Sequence, residues 1–439
     1  MNEQSFWGRL VPLAPSTVRA LELPTPIQTS PAVEIQKVSL HCNRCQTDCE
    51  KEQQRLPSGD YYCRACLNLG RLDTGLQLVS LSEPNAFIPV EDSLQWSGHL
   101  TPQQQSCANQ VQRAFQNQEH LLLWAVTGAG KTEISFPGVA WALNHGLRVA
   151  IAAPRVDVCG ELYPRYQAVF PTVPIALLHG HSDTGYGYRQ LTICTTHQLL
   201  RFQAAFDVLI LDEVDAFPYA DNPMLEQAAQ RALKPHGAWL LMTATPSVRL
   251  QREYRGRIAY LPRRFHGHPL PQIQWRIAFR WRQQLERGQL PRRLRRLLWI
   301  KIHNQQPFLL FVPRIRDLAV VDRYLQRHFR AACRWETVHA GDSERIRKVE
   351  QMRQRTVLFL VTTTILERGV TFPGIDVIIL GGDDRVFSVA SLVQMAGRVG
   401  RKATCPTGHV DCIVSGYTKN VRKARQQIAH MNRRGATDV

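Results

Sequence analysis

Residues 125–132 read AVTGAGKT, directly after the apolar run HLLLWAV (120–126) and before EISFPGVAWALNHG, a helical segment ending at Gly146. Two glycines followed by Lys and Thr, between a buried strand and a helix, make a phosphate-binding loop. Backbone N–H groups of Thr127, Gly128, Ala129 and Gly130 would cradle phosphates at a helix N-terminus. Lys131 would reach the β- and γ-phosphates of ATP, and the Thr132 hydroxyl would bind Mg²⁺. About 80 residues on, FDVLIL runs into DEVD (212–215). Acids at the end of a buried strand are costly without a partner. Here Mg²⁺ on Asp212 would be that partner, with Glu213 positioning the attacking water. Asp215 is either structural or a contact to the later sheet.

Residues 394–401 read QMAGRVGR, with two arginines three positions apart on one side of a helix or tight turn. In an ATPase of two sheets, Arg398 and Arg401 could stabilise transition-state charge, and Gln394 could sense the γ-phosphate. A different chemistry is written near the start. Cys42-x-x-Cys45 and Cys63-x-x-Cys66 are separated by seventeen residues, the spacing of a four-thiolate Zn²⁺ site. Four thiolates leave no open coordination position, so the site is expected to be structural. Cys49 offers an alternative bite with Cys45, but the two CxxC pairs fit better. The other six cysteines are dispersed and are expected to pack in cores.

These residues need elements to hold them. From about Leu100, apolar runs of four to eight residues alternate with mixed segments: HLLLWAV, RVAIAAP, LTICTT, FDVLILDE and AWLLMTAT, then QPFLLFVP, TVLFLVTTT, IDVIILGG and HVDCIVSG. Such runs predict fully buried parallel strands with helices between them. The fold class is therefore α/β, with two tandem parallel-sheet domains behind an N-terminal zinc knuckle. The expected organisation is an N-terminal arm and zinc-binding region (1–95), a first ATP-binding domain (96–265), a basic connecting segment (266–300) and a second domain (301–439). Residues 1–40 are expected to form a partly extended arm, and SGDYYC (58–63) a short hairpin feeding the second knuckle.

The net charge of +18 is uneven. From Arg249 to Lys301 there are fifteen Lys or Arg against Glu253 and Glu286, a local excess of +13. Such an excess implies a polyanionic partner, either nucleic acid or an anionic membrane surface. Interleaved Trp275 and Trp281 would suit base stacking, and Arg292, Arg293, Arg295 and Arg296 would suit phosphates. An alternative for PRRLRRLLWIKI (291–302) is a helix packing Leu294, Leu297 and Leu298 on the second domain with its arginines exposed. Composition, at 44% hydrophobic and 21% charged, excludes a disordered chain. No apolar run approaches the ~18–20 residues of a membrane-spanning helix. The start, MNEQSFWGRL, lacks the pattern of a secretory signal, so a cytoplasmic location is expected.

Together, AVTGAGKT, Pro154-Arg155, TTHQ (195–198), DEVD, TAT (243–245), TTTILERG (362–369) and QMAGRVGR resemble superfamily 2 helicases and translocases over about residues 100–416. The resemblance implies two RecA-like domains, with ATP hydrolysis between them driving movement along a nucleic acid strand. It further implies that Gln104, in LTPQQ (100–104), reads adenine. By the same resemblance, Thr243 and Thr245 couple hydrolysis to domain movement, and Arg155, Thr196, Thr363 and Thr364 contact the strand. Many relatives carry an acid two positions after the glycine matching Gly369; here that position is Thr371.

The knuckle ahead of the ATPase, with IAAPRVDVCGELYPR (151–165), DEVDAFP (212–218), RRFHGHPLP (263–271) and TTILERGVTFP (363–373), resembles the ComFA family. That resemblance implies a DNA-dependent ATPase that pulls single-stranded DNA through a membrane channel during natural competence. It places the protein in the cytoplasm, peripheral on the inner face of the cell membrane. Its implied partners are single-stranded DNA, the competence membrane channel and a ComFC-like protein, with an oligomer compatible. Two alternatives stand beside it. One is a PriA-like replication-restart helicase, against which the knuckle's position before the motor argues. The other is a zinc-knuckle nucleic-acid-binding scaffold on an inactive ATPase, against which the intact Lys131, Asp212, Glu213, Arg398 and Arg401 argue.

Overall fold

The structure is a computed structural model and describes residues 2–180 and 186–437. The described residues divide into two compact units, one within 1–123 and 131–260, the other within 124–130 and 261–439.

The first sheet has seven strands, in the order Ile258–Leu261, Leu121–Ala125, Leu233–Thr243, Phe206–Asp212, Val149–Ala153, Leu191–Thr195, Ile175–Leu178. The strands Leu121–Ala125, Val149–Ala153 and Leu191–Thr195 are buried at every position, the outcome expected of continuous apolar runs covered on both faces. From Leu233–Thr243 to Ile175–Leu178 the pairings are parallel, so these strands end on one edge. Helix Lys131–Asn144 accepts Pro137 and Gly138 within an almost fully buried face; Gly138 lies against the Phe115 ring, where a Cβ would clash at 2.9 Å.

The second sheet has six strands, all parallel, in the order Ile273–Ile277, Val410–Val414, Asp376–Leu380, Phe308–Phe311, Phe359–Thr362, Trp335–Val338. Helix Arg292–His303 closes one side of it. Leu294, Leu298 and Ile302 recur every fourth residue and are buried, whereas Arg292, Arg293, Arg295 and Arg296 are exposed. Leu297, grouped with the packing leucines at the sequence level, is only partly buried.

The N-terminal 40 residues are not an extended arm. Strands Val11–Leu13 and Gln28–Pro31 flank Gln77–Ser80 in a three-stranded antiparallel sheet, closed by Phe6, Val11, Val79 and Leu81. A second small antiparallel sheet, Val33–Ile35, Ser39–Cys42 and Thr47–Glu50, carries the first cysteine pair. The weak periodicity of residues 1–40 reflects very short strands whose partner lies far along the chain. SGDYYC forms a turn, with the Leu56 N–H donating to Asp60 O at 2.7 Å. Single bridges at Tyr61 and Tyr62 take the place of a regular hairpin.

This N-terminal region is docked on the first sheet by polar groups that are themselves buried. Arg148 and Glu83 form an ion pair with both side chains at 0% exposure. Tyr186 accepts from Arg148 at 2.7 Å, and Tyr188 donates to Glu83. A buried pair stands only if its remaining hydrogen-bonding capacity is filled, and these tyrosines fill it.

Candidate ATPase site and thiolate centre

The phosphate loop leaves strand Leu121–Ala125 and turns into helix Lys131–Asn144. Gly128 and Gly130 take φ of +77° and +81°, a region open to glycine without a Cβ clash, so the GAG spacing is what lets the loop curl. Lys131 Nζ donates to Asp212 Oδ1 at 3.0 Å. Burial works against the ammonium, but the carboxylates of Asp212, Glu213 and Asp215 outweigh it and hold its pKa above the ordinary lysine value. The lysine is thus charged and pointed at Asp212, the acid expected to bind Mg²⁺. Asp212 ends strand Phe206–Asp212 and also accepts from the Glu213 N–H at 2.8 Å, while Glu213 sits at φ +54°, turning the chain sharply there.

Asp215 has a defined contact. It accepts from the Thr243 hydroxyl at 2.7 Å and from the Thr245 hydroxyl, and Thr243 Oγ1 accepts from the Thr245 N–H at 2.9 Å. The last DEVD acid and the TAT segment are therefore hydrogen-bonded at the ends of neighbouring parallel strands. Arg165, which no motif includes as a site residue, also reaches the loop. From helix Val156–Val169 it donates to the Thr132 hydroxyl at 3.1 Å and pairs with Glu133. No local pattern marks it, because its partners are on another helix.

Gln104 is nearly buried at the start of helix Pro102–Gln116. Its side-chain oxygen accepts from the Thr101 N–H at 2.8 Å, and Thr101 Oγ1 accepts from the Gln104 N–H, a reciprocal cap. Arg155 is half-buried after strand Val149–Ala153, and Thr196 is buried at the end of Leu191–Thr195. In the second unit, Thr363 and Thr364 follow strand Phe359–Thr362, and Gln394 is buried in helix Val389–Ala396. Arg398 donates to Glu367 O at 3.0 Å and to Val370 O. Arg401 donates to the Thr371 hydroxyl at 3.1 Å, so the position where relatives carry an acid still meets this arginine, through a neutral acceptor. Arg264, from the RRFHGHPLP segment, is buried and donates to the carbonyls of Val399 and Gly400 at 2.6 Å, holding the end of QMAGRVGR.

The arginine-rich segment is less free than its count suggests. Arg249 pairs with Glu226, Arg276 with Asp411 at 2.8 Å, Arg282 with Asp317 and Asp384 at 2.8 and 2.6 Å, and Lys301 with Asp376 at 2.5 Å. Its acids come from elsewhere in the chain. Trp281 is no stacking platform: it is 3% exposed and donates its indole N–H to Asp383 at 2.9 Å. Trp275 is half-buried between Tyr417 and Arg425.

Cys42, Cys45, Cys63 and Cys66 are buried, with all four sulfurs within 4.8 Å of one another. The Cys42–Cys66 and Cys45–Cys63 separations of 3.8 and 3.5 Å approximate the edge of a tetrahedron with Zn–S bonds of about 2.3 Å. Cys49 lies outside the group. Arg44, 2% exposed, donates to Cys66 Sγ at 3.4 Å and to the Gly70 carbonyl at 3.1 Å, the outer-shell support typical of metal ligands. These residues fit zinc. Of the dispersed cysteines, Cys107, Cys159, Cys194 and Cys412 are buried as expected; Cys333 is half-buried and Cys405 is exposed, on a loop with no core to enter.

The thiolate centre is continuous with the first motor sheet. Its cysteines share one apolar cluster with Leu199, Leu200, Phe202, Leu225 and Ala228. Arg231 spans the junction, donating to Asn43 O at 3.3 Å and Leu200 O at 3.0 Å.

Comparison with known proteins agrees with this arrangement. Residues 10–80 match the family described as "Competence protein ComFA N-terminal domain", 97–248 match "Type III restriction enzyme, res subunit", and 289–403 match "Helicase conserved C-terminal domain". In solved structures, the fold is similar to that of the DEAD-box helicase Mss116 bound to ssRNA and UDP-BeF (TM-score 0.54, 15% identity, 75% of this chain and 77% of that one). It is also similar to S. cerevisiae Dbp5 bound to RNA and ADP BeF3 (TM-score 0.51, 15% identity, 76% and 91%), which establishes two RecA-like domains. Competence protein ComFA of Bacillus subtilis (strain 168) is 40% identical, covering 91% of this chain and 87% of that protein. Competence protein ComFA of Streptococcus pneumoniae (strain ATCC BAA-255 / R6) is 39% identical, covering 92% and 93%. On this evidence the chain belongs to the ComFA family of competence proteins and is an ATPase of the helicase class.

Proposed function

We propose that the protein is an ATP-driven translocase on single-stranded DNA that acts in DNA uptake during natural competence. The observation that carries the reading is a pair of contacts within DEVD: Asp212 meets the phosphate-loop Lys131, and Asp215 meets Thr243 and Thr245, the segment expected to couple hydrolysis to movement. Thr127, Gly128, Ala129, Gly130, Lys131 and Thr132 would hold ATP, with Gln104 at its base. Thr132 and Asp212 would hold Mg²⁺, and Glu213 would position water. Arg398, Arg401 and Gln394 would stabilise and sense the γ-phosphate. Cys42, Cys45, Cys63 and Cys66 would hold a structural Zn²⁺. Arg155, Thr196, Thr363 and Thr364 would contact the strand. Among the described residues no helix is long and apolar enough to cross a membrane. The protein would work on the inner face of the cell membrane, beside a channel and a ComFC-like partner. The test is stopped-flow translocation on labelled single strands of increasing length. Directional movement gives a dissociation time that grows with length, and a length-independent signal overturns the reading.

Grip on a translocated strand should be phosphate-directed and indifferent to sequence. Arg292, Arg293, Arg295 and Arg296 project from the exposed face of helix Arg292–His303. Three of them, with the 57% exposed Trp299, line an open groove of about 810 Å³. Changing all four arginines to glutamine should lower the slope of log affinity against log salt by up to about 2.8, at roughly 0.7 per phosphate contact on single strands. An unchanged slope removes this helix from the strand path.

A further inference from the structure

A second basic feature lies in the first unit, and the ATPase reading makes no use of it. A cavity of about 190 Å³, several times the ~30 Å³ share of one water, is lined by Arg9, Asn68, His179, Tyr186, Gln198 and Arg201 among others. Three parts of the chain converge there. Arg9 precedes the N-terminal sheet, and Asn68 lies in the turn that carries Cys66. The rest come from the first motor sheet. His179, Gly180 and the turn Thr196–Arg201 follow the parallel strands Ile175–Leu178 and Leu191–Thr195, whereas Tyr186 and Phe202 precede strands Leu191–Thr195 and Phe206–Asp212.

Its electrostatics are unusual for a structural junction. Among the described residues none lining it is acidic. Arg9 lies over the Tyr186 ring at 3.7 Å and donates to Ser5 O at 2.9 Å, and Arg201 donates to Leu69 O at 3.2 Å. In both arginines the Nε is buried without a hydrogen-bond partner. Burial pushes the Arg9 pKa down to about 10, Tyr186 opposing and the charges of Arg201 and Arg148 reinforcing it, and burial followed by Arg44 lowers Arg201. Both remain cations at neutral pH. Two partly buried guanidinium groups that face no carboxylate among the described residues are costly, and an anion with several acceptor oxygens relieves that cost. Side-chain amides at Asn68 and Gln198 add neutral donors. Gln198 and Arg201 share a single turn with Thr196, one of the expected strand contacts.

We propose that Arg9 and Arg201 form a phosphodiester-binding site for the single strand, built jointly by the zinc-bearing N-terminal region and the first motor domain. The inference rests on the strand-binding reading above and adds to it a contact that the motor domains alone cannot make.

The test is a salt titration of oligothymidylate binding, by fluorescence anisotropy, to the full-length zinc-loaded protein and to Arg9→Gln/Arg201→Gln. The double variant should lose about 1.4 from the salt slope, at roughly 0.7 per contact, with strand-independent ATP hydrolysis unchanged. Arg9→Lys/Arg201→Lys should keep the slope, and it serves as the second measurement if the glutamine variant fails to fold. Parent protein that binds the strand beside a glutamine variant of unchanged slope overturns the pocket and leaves the translocase reading standing. Parent protein that binds no single strand overturns both. Thermal protection by pyrophosphate that both arginines supply, with an unchanged strand slope, identifies a free-phosphate site and overturns the strand assignment.

Discussion

Lys131→Ala should lower strand-stimulated ATP hydrolysis by at least about 10²–10³-fold, the scale on which one preorganised charge contact to a developing anion acts. The lysine is paired with one of the hydrolysis acids. It sits 3.0 Å from Asp212, and its ammonium is held charged by three carboxylates against the cost of burial. A neutral side chain leaves Asp212 and Glu213 facing bound triphosphate with one positive charge fewer, so both nucleotide binding and phosphoryl transfer weaken. Arg165, a cation beside the loop, is committed to the Thr132 hydroxyl and to Glu133. The measurement is phosphate release at saturating Mg-ATP with single-stranded DNA, alongside a melting curve to establish that the fold persists. A variant within tenfold of the parent would falsify the assignment of this loop as the catalytic phosphate site.

The second large effect is on stability. Cys63→Ser, or removal of zinc by a chelator, should lower the melting midpoint of the unit that contains the thiolate centre by about 6–16 °C. That corresponds to on the order of 3–4 kcal/mol, a typical cost for a lost metal or buried network, at about 2–4 °C per kcal/mol for domains of ~150–250 residues. The size follows from where the centre lies. Its four cysteines are buried in the same apolar cluster as Leu199, Leu200, Phe202 and Leu225, and Arg231 donates to carbonyls on both sides of the junction. A thiolate group without its cation would therefore disturb the turn Thr196–Arg201 as well as the knuckle. Cys49→Ser, outside the group of four, should change neither the midpoint nor the zinc content measured by atomic absorption. Equal shifts for Cys49→Ser and Cys63→Ser would show that the ligand set is drawn wrongly.

The difference between what the chain showed by itself and what required the fold is one of contact range. Gly128, Gly130, Lys131 and Thr132 act through consecutive backbone, and each CxxC pair spans one turn, so residue type and spacing carry their roles. Buried strands announce themselves as unbroken apolar runs for the same local reason. Asp215 is different: its meaning depends on Thr243 and Thr245, which only the parallel pairing of Phe206–Asp212 with Leu233–Thr243 brings within 2.7 Å of it or hydrogen-bonds to it. The first forty residues form a sheet because Gln77–Ser80 returns between their strands. Charge shows the same limit most plainly. Fifteen basic residues in one stretch suggest one basic surface, yet Arg276, Arg282 and Lys301 meet acids from distant strands and helices. Arg9 and Arg201, unremarkable in the sequence, share a cavity lined by no acid among the described residues. Coulomb energy depends on distance in space, and a linear sequence records only the inventory of charges.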